Sequence, residues 1–362
     1  MNNIISYARE EKRSWVEKPL TVVDSLILSQ IAYINFGAAV ADLSDDRVTA
    51  NLSDFYENMP GWEKMFAHVL PTAAAKELLI AVTQNPRFQK IKLNYYVDEL
   101  DKKIEKQFSA VSFLLDEQTT YVAFRGTDDS ILAWKEDFNM AYLHVVPAQA
   151  EAANYLKRVM KKTTGKVFVG GHSKGGNLAT YAAMMLSGAE KERVVTIFSH
   201  DGPGLNNNWW QSWKFLTIKE KINKTLPQSS PIGILLEKQK DYKIVKSSRH
   251  SVMQHDPFSW VVKNDDFVYV NKRAKSARYF DKSLAKWLDG LSKKKRELFV
   301  DTLYQVLTVA EITEVRQLQK MTPQKIAVLL STFNNIDEET KKFLKQVLKN
   351  LVKIYFENLG KV

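Results

Sequence analysis

Cysteine is absent from the 362-residue sequence. This absence excludes disulfide bonds, thiolate zinc sites, iron–sulfur clusters and cysteine nucleophiles. The first residues also lack a basic segment followed by an apolar stretch and a small-residue cleavage site, so no secretory signal is predicted. The most apolar early stretch, residues 22–41, is interrupted by polar side chains, whereas a spanning helix requires about 20 predominantly apolar residues. We therefore expect a cytoplasmic protein without a transmembrane helix.

The chain carries a net charge of +11, and most of this excess is local. Residues 271–296 contain ten basic and two acidic side chains. Such a surplus indicates either a solvated face or hinge between domains, or a patch that contacts an anionic membrane surface or another polyanion. No nucleic-acid motif accompanies the basic segment, so no specific nucleic-acid partner is predicted.

Helix and strand patterns alternate through the first 270 residues. An N-terminal helix is predicted at 21–35, where Thr21 and Asp24 form a capping box. The other predicted elements are strands at 108–116, 119–127, 166–170 and 193–204 and helices at 148–162 and 175–186. The short, continuously apolar strand at 166–170 is typical of parallel sheets. The succession predicts an α/β fold with a doubly wound, mainly parallel sheet.

Beyond residue 271 the pattern becomes helical. Two apolar helix faces are predicted, and Thr322 with Pro323 marks a helix start between them. The faces comprise Phe299, Leu303, Val306, Leu307 and Ala310, and Leu344, Val347, Leu348, Leu351 and Tyr355. The sequence therefore predicts a domain at 1–270 followed by a basic helical C-terminal region at 271–362.

A G-x-S-x-G pentapeptide occupies residues 171–175, directly after a predicted buried strand and directly before a predicted helix. This is the context of a nucleophile elbow, in which a serine hydroxyl projects above the sheet. Ser173 is therefore the predicted nucleophile. A phosphate-binding P-loop is excluded because it requires Gly-Lys-Ser/Thr, and here Ser173 precedes Lys174.

Two segments resemble known hydrolases. VAFRGTDDSILAWKEDF at 122–138 and VGGHSKGGNLA at 169–179 are similar to the class 3 lipase pattern. Together with HDGPG at 200–204 and QHDPFSW at 254–260, they resemble the bacterial Mbeg-like hydrolases. The resemblance covers about 21–270 and implies an α/β-hydrolase fold of the lipase type.

The same resemblance implies an oxyanion site. Thr127 would donate through its backbone N–H and its hydroxyl, and the backbone N–H of Lys174 would be the second donor. The chain departs from the pattern in having Lys174 where class 3 lipases usually have an apolar residue. The ammonium group could lower the basicity of the serine, bind an anionic part of the substrate, or point into solvent.

Histidine supplies the expected general base. A base usually follows the elbow in hydrolases of this chain order, which leaves His250 and His255 as the main candidates. His255 is preferred because Asp256 and Pro257 favour a turn that holds its ring, whereas His250 lies in a polar stretch.

The sequence indicates the acidic residue that would orient the histidine less directly. The segment where class 3 lipases carry theirs has no carboxylate before Glu237. We choose Asp201, because it follows the first strand after the elbow helix, at the sheet edge where ligands bind in such folds. A role for Asp201 as a turn cap is the competing interpretation. Asp256 is the second candidate, and Ser230 would be a neutral substitute.

These features predict a serine hydrolase that acts on a lipid ester or a small acyl ester through an acyl-serine intermediate. The expected catalytic residues are Ser173, His255 and Asp201, with no cofactor and no metal. The alternative hypothesis is a hydrolase-like binding or scaffold protein that has lost turnover, with the basic C-terminal helices making the important contacts.

Overall fold

A computed structural model describes residues 2–45, 50–140, 142–206, 209–274, 290–314, 317, 322–331, 337–338, 340–342 and 344–345. Within these ranges, no helix is both long and apolar enough to cross a membrane. Residues 275–289 of the basic segment and Val347, Leu348, Leu351 and Tyr355 of the second predicted helix face lie outside the described residues.

An eight-stranded sheet organises the chain, with its strands in sequence order from β1 to β8. Pairs from β1 to β4 are antiparallel, and pairs from β4 to β8 are parallel. The strands are β1 (Ala50–Asn51), β2 (Lys92–Asp101), β3 (Lys106–Asp116), β4 (Thr119–Phe124), β5 (Lys166–His172), β6 (Val194–His200), β7 (Ile222–Pro227) and β8 (Lys243–Val245). A separate two-stranded ribbon joins β9 (Val262–Lys263) and β10 (Asp266–Phe267).

Helices cover both faces of the sheet. The helices are α1 (Ile4–Glu10), α2 (Val22–Ile31), α3 (Thr72–Thr83), α4 (Ile131–Asn139), α5 (Pro147–Lys162), α6 (Lys174–Met184), α7 (Gly188–Arg193), α8 (Trp213–Leu216), α9 (Lys293–Val309) and α10 (Pro323–Ser331). α1, α2 and α3 share one apolar cluster, whereas α5 and α6 belong to a second. The predicted doubly wound α/β architecture is confirmed.

The start of α2 forms as the sequence predicts. The side chain of Thr21 accepts from the backbone N–H of Asp24, and the carboxylate of Asp24 accepts from the backbone N–H of Thr21. Asp24 is also held by the buried guanidinium of Arg87 at 2.7 Å. The ion pair therefore joins the start of α2 to the segment between α3 and β2.

β4 ends earlier than its sequence pattern predicts. The predicted strand extends to residue 127, but the strand ends at Phe124. The chain then approaches its neighbours closely at Gly126, where a Cβ atom would lie 2.0 Å from the hydroxyl of Tyr33 and 2.6 Å from the carbonyl oxygen of His172. The chain leaves the sheet there, and Thr127 lies in the loop beyond it.

The carboxyl ends of three neighbouring parallel strands meet at one edge of the sheet. Thr127 follows β4, Ser173 follows β5 and Asp201 follows β6. A strand, a sharp turn at a serine and a helix form the central unit of the α/β-hydrolase fold. The structure has this fold, with the candidate residues at the edge where ligands bind in open α/β sheets.

The helical C-terminal region packs against α4. Phe299, Leu303 and Val306 of α9 share an apolar cluster with Ile131 of α4. The backbone N–H of Ile131 also donates to the carbonyl oxygen of Thr313 at 2.9 Å. The tail therefore covers the helix that follows the Thr127 loop, and the appended helical region is confirmed. A domain boundary at residue 270 stays a prediction.

Candidate active site

Ser173 lies in the sharp turn between β5 and α6, with φ 57° and ψ −131°. A positive φ is rare for residues with a side chain and is found at strained functional turns. A Cβ on Gly171 would lie 2.3 Å from the carbonyl carbon of Gly175, and one on Gly175 would lie 2.1 Å from the carbonyl oxygen of Phe124. The G-x-S-x-G spacing therefore meets a steric requirement of the turn.

His255 lies beside Ser173. Its Nε2 atom is 3.0 Å from the Ser173 hydroxyl oxygen, and its side chain is 27% exposed. It ends a 3₁₀ turn, Ser251–His255, that His250 precedes as the capping residue. His250 is exposed. Of the two histidines weighed from the sequence, His255 is the one that the structure brings to Ser173.

Asp201 lies on the other side of the His255 ring. One carboxylate oxygen, Oδ2, is 2.6 Å from Nδ1 of His255, and the other accepts from the backbone N–H of Gly233 at 3.0 Å. The Asp201 side chain is completely buried. Its backbone φ of 48° turns the chain directly after β6. Ser173, His255 and Asp201 thus form a continuous hydrogen-bonded chain.

Asp256, Glu237 and Ser230 have other partners. Asp256 faces the guanidinium of Arg249 at 3.2 Å, and burial raises the pKa of its carboxyl. Glu237 forms a buried ion pair with Lys224. The hydroxyl of Ser230 accepts a local backbone N–H, and this residue is fully buried. None of these three contacts the His255 ring among the interactions of the described residues.

Two backbone N–H groups beyond the carboxyl ends of β4 and β5 have no acceptor in the part of the chain that the structure describes. They belong to Thr127, in the loop after β4, and Lys174, at the first position of α6. The first N–H groups of a helix have no partner within the helix and carry partial positive charge. These groups are the two donors that the family resemblance implied for the oxyanion site.

The hydroxyl of Thr127 is engaged elsewhere. It donates to Oδ2 of Asp137 on α4, in a short contact. The other oxygen of Asp137 is buried and has no hydrogen-bond partner among the described residues. Burial raises the pKa of Asp137 to about 6. A hydroxyl carries one hydrogen, so Thr127 is oriented by Asp137, and its backbone N–H is the group left free.

The ammonium group of Lys174 turns inward. The side chain is 1% exposed, and Nζ lies 3.0 Å from a carboxylate oxygen of Glu136. It also donates to the side-chain oxygen of Gln107 at 2.6 Å and to the backbone carbonyl of Gln107 at 2.9 Å. This position matches none of the three roles suggested by the sequence. The sequence around Lys174 does not indicate that its ammonium group has a buried partner.

His172 supports the loop that carries His255. Its Nδ1 atom is 3.2 Å from the hydroxyl of Tyr33, and its Nε2 atom is 3.0 Å from the backbone carbonyl of His255. Burial, with a contribution from the charge of His255, holds the pKa of His172 well below its usual range. A neutral ring has one N–H, which Nε2 must carry because a carbonyl can only accept. Tyr33 therefore donates to Nδ1.

The remaining buried histidine, His200, is structural in its contacts. Its ring nitrogens each lie 2.9 Å from a hydroxyl oxygen, one from Ser25 on α2 and one from Thr225 on β7. Burial lowers the pKa of His200 to about 3. The ring is neutral at physiological pH and joins α2 to the sheet.

One group of side chains in the described part of the chain has the composition of a metal site. His68, Asp129 and Glu314 each place one ligand atom within 4.8 Å of the others. The His68 Nδ1 atom is 3.2 Å from the carboxylate of Asp129 and 3.8 Å from that of Glu314. These distances also suit an ion-pair network, and the cluster is separate from the chain of Ser173, His255 and Asp201.

Sequence reasoning missed the supporting residues. The segment 122–138 contains Glu136 and Asp137, but its resemblance to class 3 lipases implies no role for either residue. No sequence pattern marks Gln107 or Tyr33. One signal was available: two adjacent carboxylates occupy an otherwise largely apolar helix shortly after Thr127. Buried carboxylates require partners, so such a pair predicts a polar network.

Several solved structures are similar to this chain at low identity. M37 lipase is 16% identical over 59% of this chain and 69% of that chain, with a TM-score of 0.37. A mutant of MDLA from Penicillium cyclopium is 13% identical over 68% and 83%, with a TM-score of 0.38. The lipase from Rhizopus microsporus var. chinensis is 16% identical over 56% and 72%, with a TM-score of 0.33.

A comparison with curated proteins gave no match. The family model described as Mbeg1-like matches residues 82–305, which include the Thr127 loop, the elbow, Asp201 and the His255 turn. This range is more than half of the chain, so the protein belongs to the Mbeg1-like family.

Proposed function

We propose that this protein is a serine hydrolase that cleaves a carboxylic ester through an acyl-serine intermediate. The observation that carries the proposal is the unbroken chain of hydrogen bonds from Ser173 through His255 to Asp201. A serine is a weak nucleophile unless an adjacent base takes its proton. The 3.0 Å contact supports His255 as that base.

In the first half of the reaction, the Ser173 hydroxyl oxygen attacks the ester carbonyl carbon while its proton moves to Nε2 of His255. The carbonyl oxygen becomes an oxyanion, which accepts hydrogen bonds from the backbone N–H groups of Thr127 and Lys174. Asp201 stabilises the imidazolium through Nδ1 and keeps the neutral ring in the tautomer with its proton there. The carbon–oxygen bond then breaks, and His255 gives its proton to the departing alcohol.

In the second half, a water molecule attacks the acyl carbon. His255 takes the water proton, the bond between the acyl carbon and the Ser173 oxygen breaks, and His255 returns the proton to Ser173. The products are a carboxylic acid and the free enzyme. The chain's own residues supply every proton transfer, so the reaction as written needs no cofactor.

The substrate class rests on the sequence. The segments at 122–138 and 169–179 resemble class 3 lipases, which supports an ester of a lipid or of a small acyl group. Contact between residues 271–296 and an anionic surface stays a prediction, since most of that segment lies outside the described residues. A location in the cytoplasm is likewise a prediction.

The alternative of a hydrolase-like protein without turnover was motivated by the missing acid in the usual lipase segment. The 2.6 Å contact between Asp201 and His255 argues against this alternative, because a completely buried carboxylate faces Nδ1 of His255. Catalysis is therefore the better supported of the two functions.

A fluorophosphonate probe tests the proposal. The wild-type protein should be labelled rapidly, and Ser173→Ala should not be labelled while retaining its melting temperature. His255→Ala should label slowly, because a general base contributes typically about 10²–10⁴-fold. His250→Ala is the matched control and should label at the wild-type rate. Hydrolysis of p-nitrophenyl esters of increasing chain length would then define the acyl preference. Ester hydrolysis that survives Ser173→Ala would overturn the assignment.

A further inference from the structure

A buried ion pair lies directly beside the candidate nucleophile. Lys174 follows Ser173, and its side chain is 1% exposed, while its partner Glu136 is completely buried. Removing two charges from water is costly, and an apolar pair of similar volume is often at least as stable. A contribution to stability is therefore a weak explanation for this pair, and its position calls for another.

The pair is fully satisfied and connects four elements. The three hydrogens of the Lys174 ammonium go to Glu136 and to two oxygens of Gln107 on β3. One carboxylate oxygen of Glu136 also accepts the backbone N–H of Gln107 at 3.0 Å, and the other accepts that of Ala148 on α5 at 2.8 Å. The start of α6 is thereby fixed relative to α4, α5 and β3.

Both ends of the pair adjoin the oxyanion donors. The backbone N–H of Lys174 is one donor. At the other end, Glu136 precedes Asp137, which holds the hydroxyl of Thr127, the residue that carries the second donor. The Lys174–Glu136 contact thus joins the start of α6, where one donor lies, to α4, which holds the Thr127 loop through Asp137.

We propose that the Lys174–Glu136 ion pair sets the separation of the two oxyanion donors, so that both side chains act as positioning residues. This inference rests on the hydrolase function proposed above. Neither side chain touches the reacting atoms. Their effect is carried by the backbone N–H groups of Thr127 and Lys174, which stabilise negative charge only where it develops during the reaction.

The kinetic consequence is specific. Interactions made only in the transition state affect kcat and leave KM nearly unchanged. Loss of a complete oxyanion donor typically costs about 10²–10³ in kcat. A displaced donor should reduce kcat by less than the loss of a complete donor does. We therefore expect kcat to fall about 10- to 100-fold when the ion pair is broken.

Glu136→Gln is the first test, because it removes the charge and keeps the shape. Asp24→Asn is its matched control, since Asp24 on α2 forms an equally buried ion pair with Arg87, which lies between α3 and β2. Each variant is measured for kcat, KM and melting temperature with a p-nitrophenyl ester, and for inhibition by a trifluoromethyl ketone. Such ketones form a tetrahedral adduct with serine whose oxyanion occupies the donor site. Both single variants should melt at lower temperature, but only Glu136→Gln should lose kcat and inhibitor affinity.

A double variant separates positioning from stability. Lys174→Met combined with Glu136→Gln removes both charges and keeps an amide oxygen as an acceptor for one of the two backbone N–H groups that Glu136 binds. No buried charge is then left unpaired, so we expect the melting temperature to rise above that of Glu136→Gln while kcat stays low. Wild-type kcat and inhibitor affinity in Glu136→Gln, or recovery of kcat together with the melting temperature in the double variant, would overturn the inference. If the wild-type protein neither hydrolyses esters nor reacts with a fluorophosphonate, the proposed hydrolase function is wrong. That result concerns the wild-type protein, so it is distinguishable from the two outcomes above, which concern the variants.

Discussion

The Nε2 atom of His172 lies 3.0 Å from the backbone carbonyl oxygen of His255. The two rings are also close, with centroids 4.6 Å apart and planes inclined by 32°. The residue before the candidate nucleophile therefore holds the loop of the candidate base by a hydrogen bond and a ring contact. On the far side of the ring, the Tyr33 hydroxyl donates to the Nδ1 atom of His172.

Removal of the His172 N–H should loosen this loop. His172→Phe keeps a ring beside His255 but cannot donate to its carbonyl, so we expect kcat for ester hydrolysis to fall about 10-fold or more, since small displacements of reacting groups are costly. Tyr33→Phe should have a weaker effect, because His172 keeps its N–H. A wild-type kcat in His172→Phe would show that the turn containing His255 needs no support from the elbow.

Asp201 gives a second prediction. Asp201→Asn preserves the volume at the end of β6 but removes the charge facing His255, and an amide can favour the wrong tautomer of the ring. We expect kcat to fall by about 10⁴ while substrate binding persists. Asp256→Asn is the matched control, because Asp256 faces Arg249 and should leave kcat almost unchanged. If Asp201→Asn keeps full turnover but melts at lower temperature, Asp201 only caps its turn.

Much of the fold could be predicted because its signals are local. The capping box at Thr21, the apolar strand at 166–170 and the helix after Ser173 each depend on neighbours in sequence, and all three form as predicted. β2 was not predicted, although it pairs along most of β3. Its residues 98–101 are mainly acidic and exposed, so its pattern lacks the apolar alternation of a strand.

The supporting network of the site could not be predicted in the same way. Lys174 and Glu136 are distant in sequence, and each alone is typical of a solvated surface. Only the packing of α4 against β3 and the elbow brings them together. Asp201 could be chosen over Asp256 from the sequence, because it follows the first strand after the elbow helix, a position that predicts the sheet edge where ligands bind.

Asp137 supplies a prediction for stability. Burial raises its pKa to about 6 from the ordinary value of 3.8, so between these pH values the folded protein holds a proton that the unfolded chain has lost. Its contribution to stability therefore falls as pH rises through this window, by roughly 1–3 kcal/mol in total. Asp137→Asn cannot ionise and keeps an acceptor for Thr127. We expect its free energy of unfolding to fall less than that of the wild type between pH 4.5 and 7.5.

Chemical denaturation at several pH values measures this difference. Asp116→Asn, which alters an exposed carboxylate at the end of β3, is the control for the substitution itself. Identical pH dependence in Asp137→Asn and the wild type would mean that Asp137 is ionised in the folded state without cost, and that Thr127 compensates fully for its burial.

His200 should lower the stability of the fold as pH falls, which is opposite to the effect of Asp137. Its ring is buried between Ser25 and Thr225, and burial lowers its pKa to about 3 from the ordinary value of 6.5. As pH falls below 6.5 the unfolded chain binds a proton that the folded protein excludes, so stability present above pH 6.5 is lost progressively down to about pH 3. At pH 4.5 this loss amounts to roughly 2–3 kcal/mol.

His200→Gln keeps a hydrogen-bonding side chain without a titratable ring. It should therefore be less stable than the wild type at pH 8, yet it should lose less stability between pH 7 and 4.5. Urea unfolding at both pH values, with His250→Gln as the exposed control, measures the two slopes. An equal loss in His200→Gln and the wild type would show that other groups cause the acid sensitivity.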